Sequence, residues 1–533
     1  MEHSNFSFAK NKIIQLVSVK ALILLLFAMT GCSSLSVKNL EKYSEQFRPQ
    51  IHFSPKENWT NDPNGMVYYE GEYHLFYQYY PDSTVWGPMH WGHAVSTDLI
   101  HWEELPIALY PDSLGWIFSG SAVIDWENTS GLGENGVPPM VAIFTYHNSK
   151  MEQTGSNQFQ YQGIAYSLDK GRTWSKYENN PVLPNPGIRD FRDPKVIWHK
   201  ESEKWIMSLA VLDHINLYSS PNLIDWKLES EFGLGIGSHV GVWECPDFFP
   251  LNLEGTDETK WVLLVSVNNG APNGGSGTQY FVGDFDGQIF EPHGEKTKWI
   301  DYGKDNYAGV TWSDIPENDG RRIFLGWMNN WQYANQIPTS VWRGAFTIPR
   351  ALFLNEIYNE YLLLSRPVEE FGKLAKEVNK LQPGKISGEF EIKKPQEFPV
   401  EVELSFNTAN STDLNFGERF GLILSNSKNE RVKIGYDNLN KLFFVDRSNA
   451  GWDDPLKEFA GTHFAPYVLN NKTLKLRLII DKSSVELFAI DGLVVMTEQF
   501  FPTEEFKTVS LFSEKGEVEL LKGSITKLSG IWK

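Results

Sequence analysis

From about residue 51 onward, apolar positions come in short runs that alternate with polar ones. Gly, Pro, Asn and Asp break the runs before any helical period can build. MVYYEGEYHLFYQYY, residues 66–80, is typical: two aromatic runs meet at Glu70-Gly71, the composition of a hairpin turn. Strands are expected throughout, so the fold class is all-β.

A weak repeat refines this. STDLIHW (Ser96 to Trp102), SLDKGRTW (Ser167 to Trp174) and SSPNLIDW (Ser219 to Trp226) each pair a Ser and an Asp or Asn with a following Trp. Such side chains satisfy turn amides. The spacing fits four-stranded propeller blades of roughly 40–50 residues with variable loops. Over residues 365–384 the texture changes to a charged connector with some helical character. Beyond it, VEVELSF, FGLILS, KLFFVD, LKLRLIID, SVELFAI and GLVVMTEQF alternate as strands of a separate β-sandwich over residues 385–533.

The N-terminus has a different character. Lys10, Lys12 and Lys20 precede the apolar run ALILLLFAMTGC, which has the length of a signal-peptide core and is short for a membrane span. Met29-Thr30-Gly31 before Cys32 resembles a bacterial lipoprotein box. The resemblance implies that residues 1–31 are removed, that Cys32 carries lipid, and that residues 32–50 are a tether. The protein is then exported and anchored to a bacterial membrane, at the outer membrane or cell surface. Cys245 is the one other cysteine, so no disulfide framework is available.

The length of 533 residues implies two domains after the leader. A formal net charge of −19 disfavours nucleic acid and anionic surfaces, because phosphates are repelled, and suits a neutral substrate such as a sugar. The 19 Trp and 21 Tyr could stack on sugar rings, though core packing accounts for most of them. The 12 His are scattered, and His90 and His93 have no ligand-type partners at metal spacing, so no metal or cofactor is expected. The glycine-rich stretch 268–280 leads into a strand, lacks a helix N-terminus for phosphate, and reads as a loop beside a sugar site.

Three carboxyl residues in stiff, aromatic-rich turns are the candidates for chemistry: Asp62 in WTNDPNG, Asp193 in FRDPKV and Glu244 in VWECPDFF. Each lies next to a proline or one residue from it, and a following proline is expected to hold Asp62 and Asp193 extended. A propeller can bring acids from different blades to its axis.

With NDPNG, FYQYYP, HWGHAVSTDLIHW, FSGSAV, YSLDKGRTW, FRDPKV, WECPDFF, NNWQYA and VWRGAFTIPR in this order, residues 50–530 resemble glycoside hydrolase family 32, the fructan hydrolases and invertases. The resemblance implies a five-bladed β-propeller catalytic domain over residues 51–364 followed by the β-sandwich. It implies cleavage of β-fructofuranosidic bonds in levan, inulin or sucrose with retention, which needs two carboxyl groups ~5–5.5 Å apart. By motif, Asp62 is the nucleophile, Glu244 the acid/base and Asp193 the group that grips ring hydroxyls. Asn61 and Asn64 are expected to supply amides, and Trp243, Phe248 and Phe249 an aromatic wall around Glu244. Asn61, Gln78, Trp86, Phe118, Ser119, Arg192 and an aromatic of GWMNNWQYA, Trp331 in preference to Trp327, are carried over as substrate-holding residues. Thr60 departs from the Met common in the family, with an effect expected on fit. Two alternatives stay open: a fructosyltransferase using the same intermediate, and a non-catalytic fructan-binding lipoprotein. Endo and exo action, and β-2,6 and β-2,1 linkage, also stay open, with a slight preference for levan because a surface anchor favours large polymers.

Overall fold

A computed structural model describes residues 43–392 and 396–532; the leader, Cys32 and most of the expected tether lie outside the described residues. Five antiparallel sheets come first in the chain. Their first strands are Asn58–Tyr69, Trp116–Ile124, Phe191–His199, Trp243–Asn252 and Tyr307–Thr311. These five neighbour one another in a closed ring, so each is the inner strand of one blade of a five-bladed propeller. Residues Trp342–Arg343 return from blade 5 to pair with Asn58–Trp59, which closes the ring.

The repeated Ser-Asp-Trp stretches occupy one position in three blades, the turn from the third strand to the fourth. In blade 1, Ser96 Oγ donates to Asp98 Oδ1, which accepts from the amides of Ile100 and His101. Ser167 with Asp169, and Ser220 with Asn222, repeat the arrangement. The hairpin at Glu70-Gly71 has φ of 45° and 91°, the left-handed pair that a two-residue connection requires.

All five inner strands carry a β-bulge near their N-terminal ends. Residues 61–62, 118–119, 193–194, 245–246 and 308–309 each set two residues against one on the neighbouring strand. A bulge re-aims side chains and leaves an unpaired amide position, which a proline can occupy at no hydrogen-bonding cost. This changes the reading of the Asp-Pro pair. Asp193 is not extended: its φ is 65°, and Cys245, also before a proline, has φ of 45°. Such backbone costs about 1–3 kcal/mol per residue and collects where side-chain aim matters.

The C-terminal part is an 11-stranded antiparallel sheet, folded on itself around one apolar core and organised on a 21-residue strand, Thr508–Leu528. The stretch 365–384 is not a helical connector. Glu360–Pro367 is the last strand of blade 5, Glu369–Leu374 is a short 3-10 turn, and Ala375–Leu381 pairs with Thr508–Leu528. Its charges belong to the solvent face of that edge strand. Residues 45–50 of the expected tether are likewise part of the folded body. Arg48 is fully buried and donates to Ser54 Oγ, Pro55 O and Lys56 O, and Phe47 packs edge-on against Phe501.

Buried charge joins propeller to sandwich. His52 bonds Asp481 at 2.8 Å and Glu486 at 2.9 Å, while Arg350 pairs with Asp301 at 2.9 Å and with Glu486. Each ion there is compensated, which a buried charge requires.

Candidate active site

Bulge residues of blades 1 to 3, with Glu244 just before the bulge of blade 4, line one depression at the axis, with a volume of about 590 Å³. Asn61 and Asp62 come from blade 1, Phe118 and Ser119 from blade 2, Arg192 and Asp193 from blade 3, and Glu244 from blade 4. Gln78, Trp86 and Trp331 complete the set read from the sequence, and all of these line the cavity.

Asp62 sits on the floor with three donors. Ser119 Oγ donates to its Oδ2 at 2.6 Å, Asn61 Nδ2 to its Oδ1 at 3.0 Å, and the Cys245 thiol to Oδ2 at 3.5 Å. Trp59 Nε1 donates to Asn61 Oδ1 at 2.7 Å, which fixes the orientation of that amide. Burial raises the Asp62 carboxyl above the usual range and the charge of Glu244 adds to this, while Ser119, Asn61 and Cys245 oppose it.

Asp193 accepts the Cys245 backbone N–H at 3.0 Å, and the same thiol lies 3.6 Å from its Oδ2. Burial pushes its carboxyl up to about 7; Arg192 opposes this, and the charges of Glu244 and Asp62 reinforce it. The Cys245 thiol itself is held well above its ordinary value by burial and the surrounding carboxylates, so it is a small buried donor and no nucleophile. Glu244 Oε1 accepts from Arg192 Nη2 at 2.9 Å and Nε at 3.2 Å, and Oε2 accepts from the Tyr307 hydroxyl. Arg192 also donates to Asp190 at 2.6 Å. One guanidinium thus serves Asp190 and Asp193 of blade 3 and Glu244 of blade 4.

Several expected roles change. Asn64 is fully buried, does not line the cavity, and its amide makes no hydrogen bond among the described residues. Gly65 explains the tight turn beside it: φ is 50°, and an added Cβ would lie 2.7 Å from the Trp91 ring. Trp243, Phe248 and Phe249 do not wall Glu244, because the bulge at 245–246 turns them into the cores between blades. Tyr307 takes that place. Thr60 is buried and donates to the Gln78 carbonyl at 3.0 Å, so it bears on the cavity only through Gln78. Trp327 is fully buried behind Trp331, 4.9 Å between ring centroids. His93 is buried against His74 at 3.1 Å, and His90 bonds the Pro88 carbonyl.

Sequence reasoning missed Tyr307 and Asn335, whereas Asn268 and Asn269 on the cavity wall begin the stretch 268–280 expected beside a sugar site. Asn335 Oδ1 accepts the Trp86 backbone N–H at 2.9 Å, so it also positions that ring.

Carboxyl groups gathered at a propeller axis among tryptophans and amides, with neutral polar walls, define an enzyme that acts on carbohydrate. The chain belongs to glycosyl hydrolase family 32: residues 52–367 match the family's N-terminal domain and residues 366–527 its C-terminal domain. It is a glycoside hydrolase of fructose-containing substrates. It is 46% identical over 522 residues to a levanase of Bacillus subtilis (strain 168), covering 96% of this chain and 75% of that one. It is 39% identical over 542 residues to an extracellular exo-inulinase of Aspergillus niger, covering 95% and 99%. Among solved structures, an exo-inulinase from Aspergillus awamori superposes with a TM-score of 0.84 at 37% identity, covering 92% of this chain and all of that one. A fructofuranosidase variant from Schwanniomyces occidentalis, complexed with fructosylnystose, gives 0.83 at 34% identity, covering 92% and 99%.

Proposed function

We propose that this chain removes terminal fructose units from levan- or inulin-type fructans with retention of configuration, through a fructosyl ester on Asp62. The observation that carries this is the set of donors on Asp62. Three of them hold its carboxylate at the floor of a cavity that also receives Glu244 and Asp193.

In the first step an Asp62 oxygen attacks the anomeric carbon while the Glu244 O–H gives its proton to the glycosidic oxygen, and the leaving sugar departs. In the second, Glu244 takes a proton from water, the water oxygen bonds to the anomeric carbon, and the ester bond to Asp62 breaks. Asp193 accepts hydroxyls of the ring, bonds that tighten as positive charge develops on the sugar. Trp331, Trp86 and Phe118 supply apolar faces; Gln78, Asn268, Asn269 and Asn335 supply amides.

Two of the similar proteins, from Aspergillus niger and Aspergillus awamori, are exo-inulinases, and this chain covers 99% and all of them. That supports exo action. Chromatography of early products from levan and inulin tests it: fructose alone is expected, and a ladder of oligosaccharides would reject it.

Export is supported by the extracellular fungal relatives and by the leader. The anchor is a lipid on Cys32, and a surface anchor favours attack on large polymers, levan first. Cys32→Ala is expected to release the protein from the membrane fraction; an unchanged distribution would refute the anchor.

A further inference from the structure

The axis of the propeller has a second mouth. At the C-terminal ends of the inner strands, on the face opposite the Asp62 cavity, lies another cavity of about 510 Å³, within the range of about 300–1,000 Å³ typical of ligand sites. Lys195 separates the two: its Nζ crosses the axis from blade 3 to the Thr311 carbonyl of blade 5 at 2.6 Å, beside Asp247 at 3.4 Å.

Two tryptophans stand at this second mouth. Trp126 is 56% exposed and Trp198 is 36% exposed, an unusual amount of indole to leave in water. Both are held in place. Trp126 Nε1 donates to Asp314 Oδ1 at 2.9 Å and its ring leans on Tyr69 at 5.7 Å; Trp198 stands edge-on to Trp205 at 5.1 Å. Asp314 is itself fixed by the Ile124 amide at 3.0 Å and has φ of 58°, a backbone posture that aims the carboxylate.

Arg322 supplies the complementary donor. It lines the cavity, makes a single 3.4 Å hydrogen bond to the Trp312 carbonyl, and forms no ion pair among the described residues. Its guanidinium lies over the Phe249 ring, 4.8 Å from the centroid, on the cavity lining. Flat aromatic faces beside carboxylates and a guanidinium with a single hydrogen bond match the C–H faces and vicinal hydroxyls of a sugar ring. An anion would meet Asp314, Glu127 and Glu317 on the same wall, and an apolar guest would strand the guanidinium without hydrogen bonds.

We propose that this cavity is a non-catalytic binding site for a fructosyl unit of the polymer, distinct from the site of cleavage; this rests on the fructan reading above. Four of the five inner strands run 9–12 residues between the two mouths, about 30–40 Å at 3.3 Å per residue. A trisaccharide cannot reach both, whereas a long chain can, and tethering raises its effective concentration at the Asp62 cavity.

The test compares the parent with Trp126→Ala/Trp198→Ala in the full chain, on high-molecular-weight levan and on a fructan trisaccharide. Mobility in native gels containing levan is read in an Asp62→Asn background that prevents digestion. The expected result is a KM for levan raised about tenfold, trisaccharide kinetics unchanged, and gel retardation reduced. Unchanged levan KM and unchanged retardation would overturn the proposal, as would equal losses on both substrates. Trp126→Ala alone, at the more exposed position, gives the same reading if the double variant melts early. A parent that cleaves neither levan nor trisaccharide would fail the fructan reading instead, so the two failures are distinguishable.

Discussion

Arg192 grips Glu244 through one oxygen: Nη2 at 2.9 Å and Nε at 3.2 Å both donate to Oε1. The fork ties blade 3 to blade 4 and sets the carboxyl plane, while Tyr307 takes Oε2. Lysine offers a point charge without that fork. Arg192→Lys is therefore expected to lower kcat/KM on a fructan oligosaccharide by about 10²-fold through misplacement of the proton donor. Steady-state kinetics with an unchanged melting temperature checks it.

Ser119 acts on Asp62. Burial and the Glu244 charge raise the Asp62 carboxyl, and the Ser119 hydroxyl is the foremost group opposing them. Attack requires the ionised form, so removing the donor raises the pH at which activity is lost on acidification. Ser119→Ala is expected to shift the acid limb of kcat/KM upward and to reduce kcat by about tenfold. An acid limb left in place would refute the coupling.

Gly65 shapes the turn beside Asp62. Its φ of 50° and the Trp91 and Phe76 rings 2.7 and 2.8 Å from an added Cβ leave no room for a side chain. Gly65→Ala is expected to cost about 1–3 kcal/mol of stability, since it both strains the backbone and overpacks the core. Calorimetry reads the loss.

His52 makes the junction between propeller and sandwich sensitive to alkali. Burial opposes its charge, yet Asp481 and Glu486 overcome this and raise it from 6.5 to about 9. A raised folded-state value contributes stability that is fully present below about pH 6.5 and disappears as pH climbs through about 9. The shift corresponds to about 3 kcal/mol. Thermal melts between pH 7 and 10 should show this decline, and His52→Gln should start lower and stay flatter over the same window.

The alternation of short apolar runs was enough to read strands, and the Ser-Asp-Trp turns marked blades, because a shared turn solution leaves a shared local sequence. The acids were legible because Asp62, Asp193 and Glu244 sit in motifs. Their backbone was not: a following proline suggested extended geometry, whereas Asp193 bends to φ of 65° at a bulge. Bulges depend on the count of residues in a neighbouring strand, which no single motif contains. The loop 268–280 was legible as a neighbour of the sugar site, but Asn335 was not, because loop amides look alike whether they turn a chain or face a sugar. The charges over 375–381 suggested a connector, but an exposed edge strand is charged too.

The most direct test of covalent attack by Asp62 is the configuration of the product when methanol replaces water in the second step. Nuclear magnetic resonance of the methyl fructofuranoside, which does not mutarotate, is expected to show the β-anomer alone. Formation of the α-anomer would mean direct displacement by the acceptor and would contradict a fructosyl ester on Asp62.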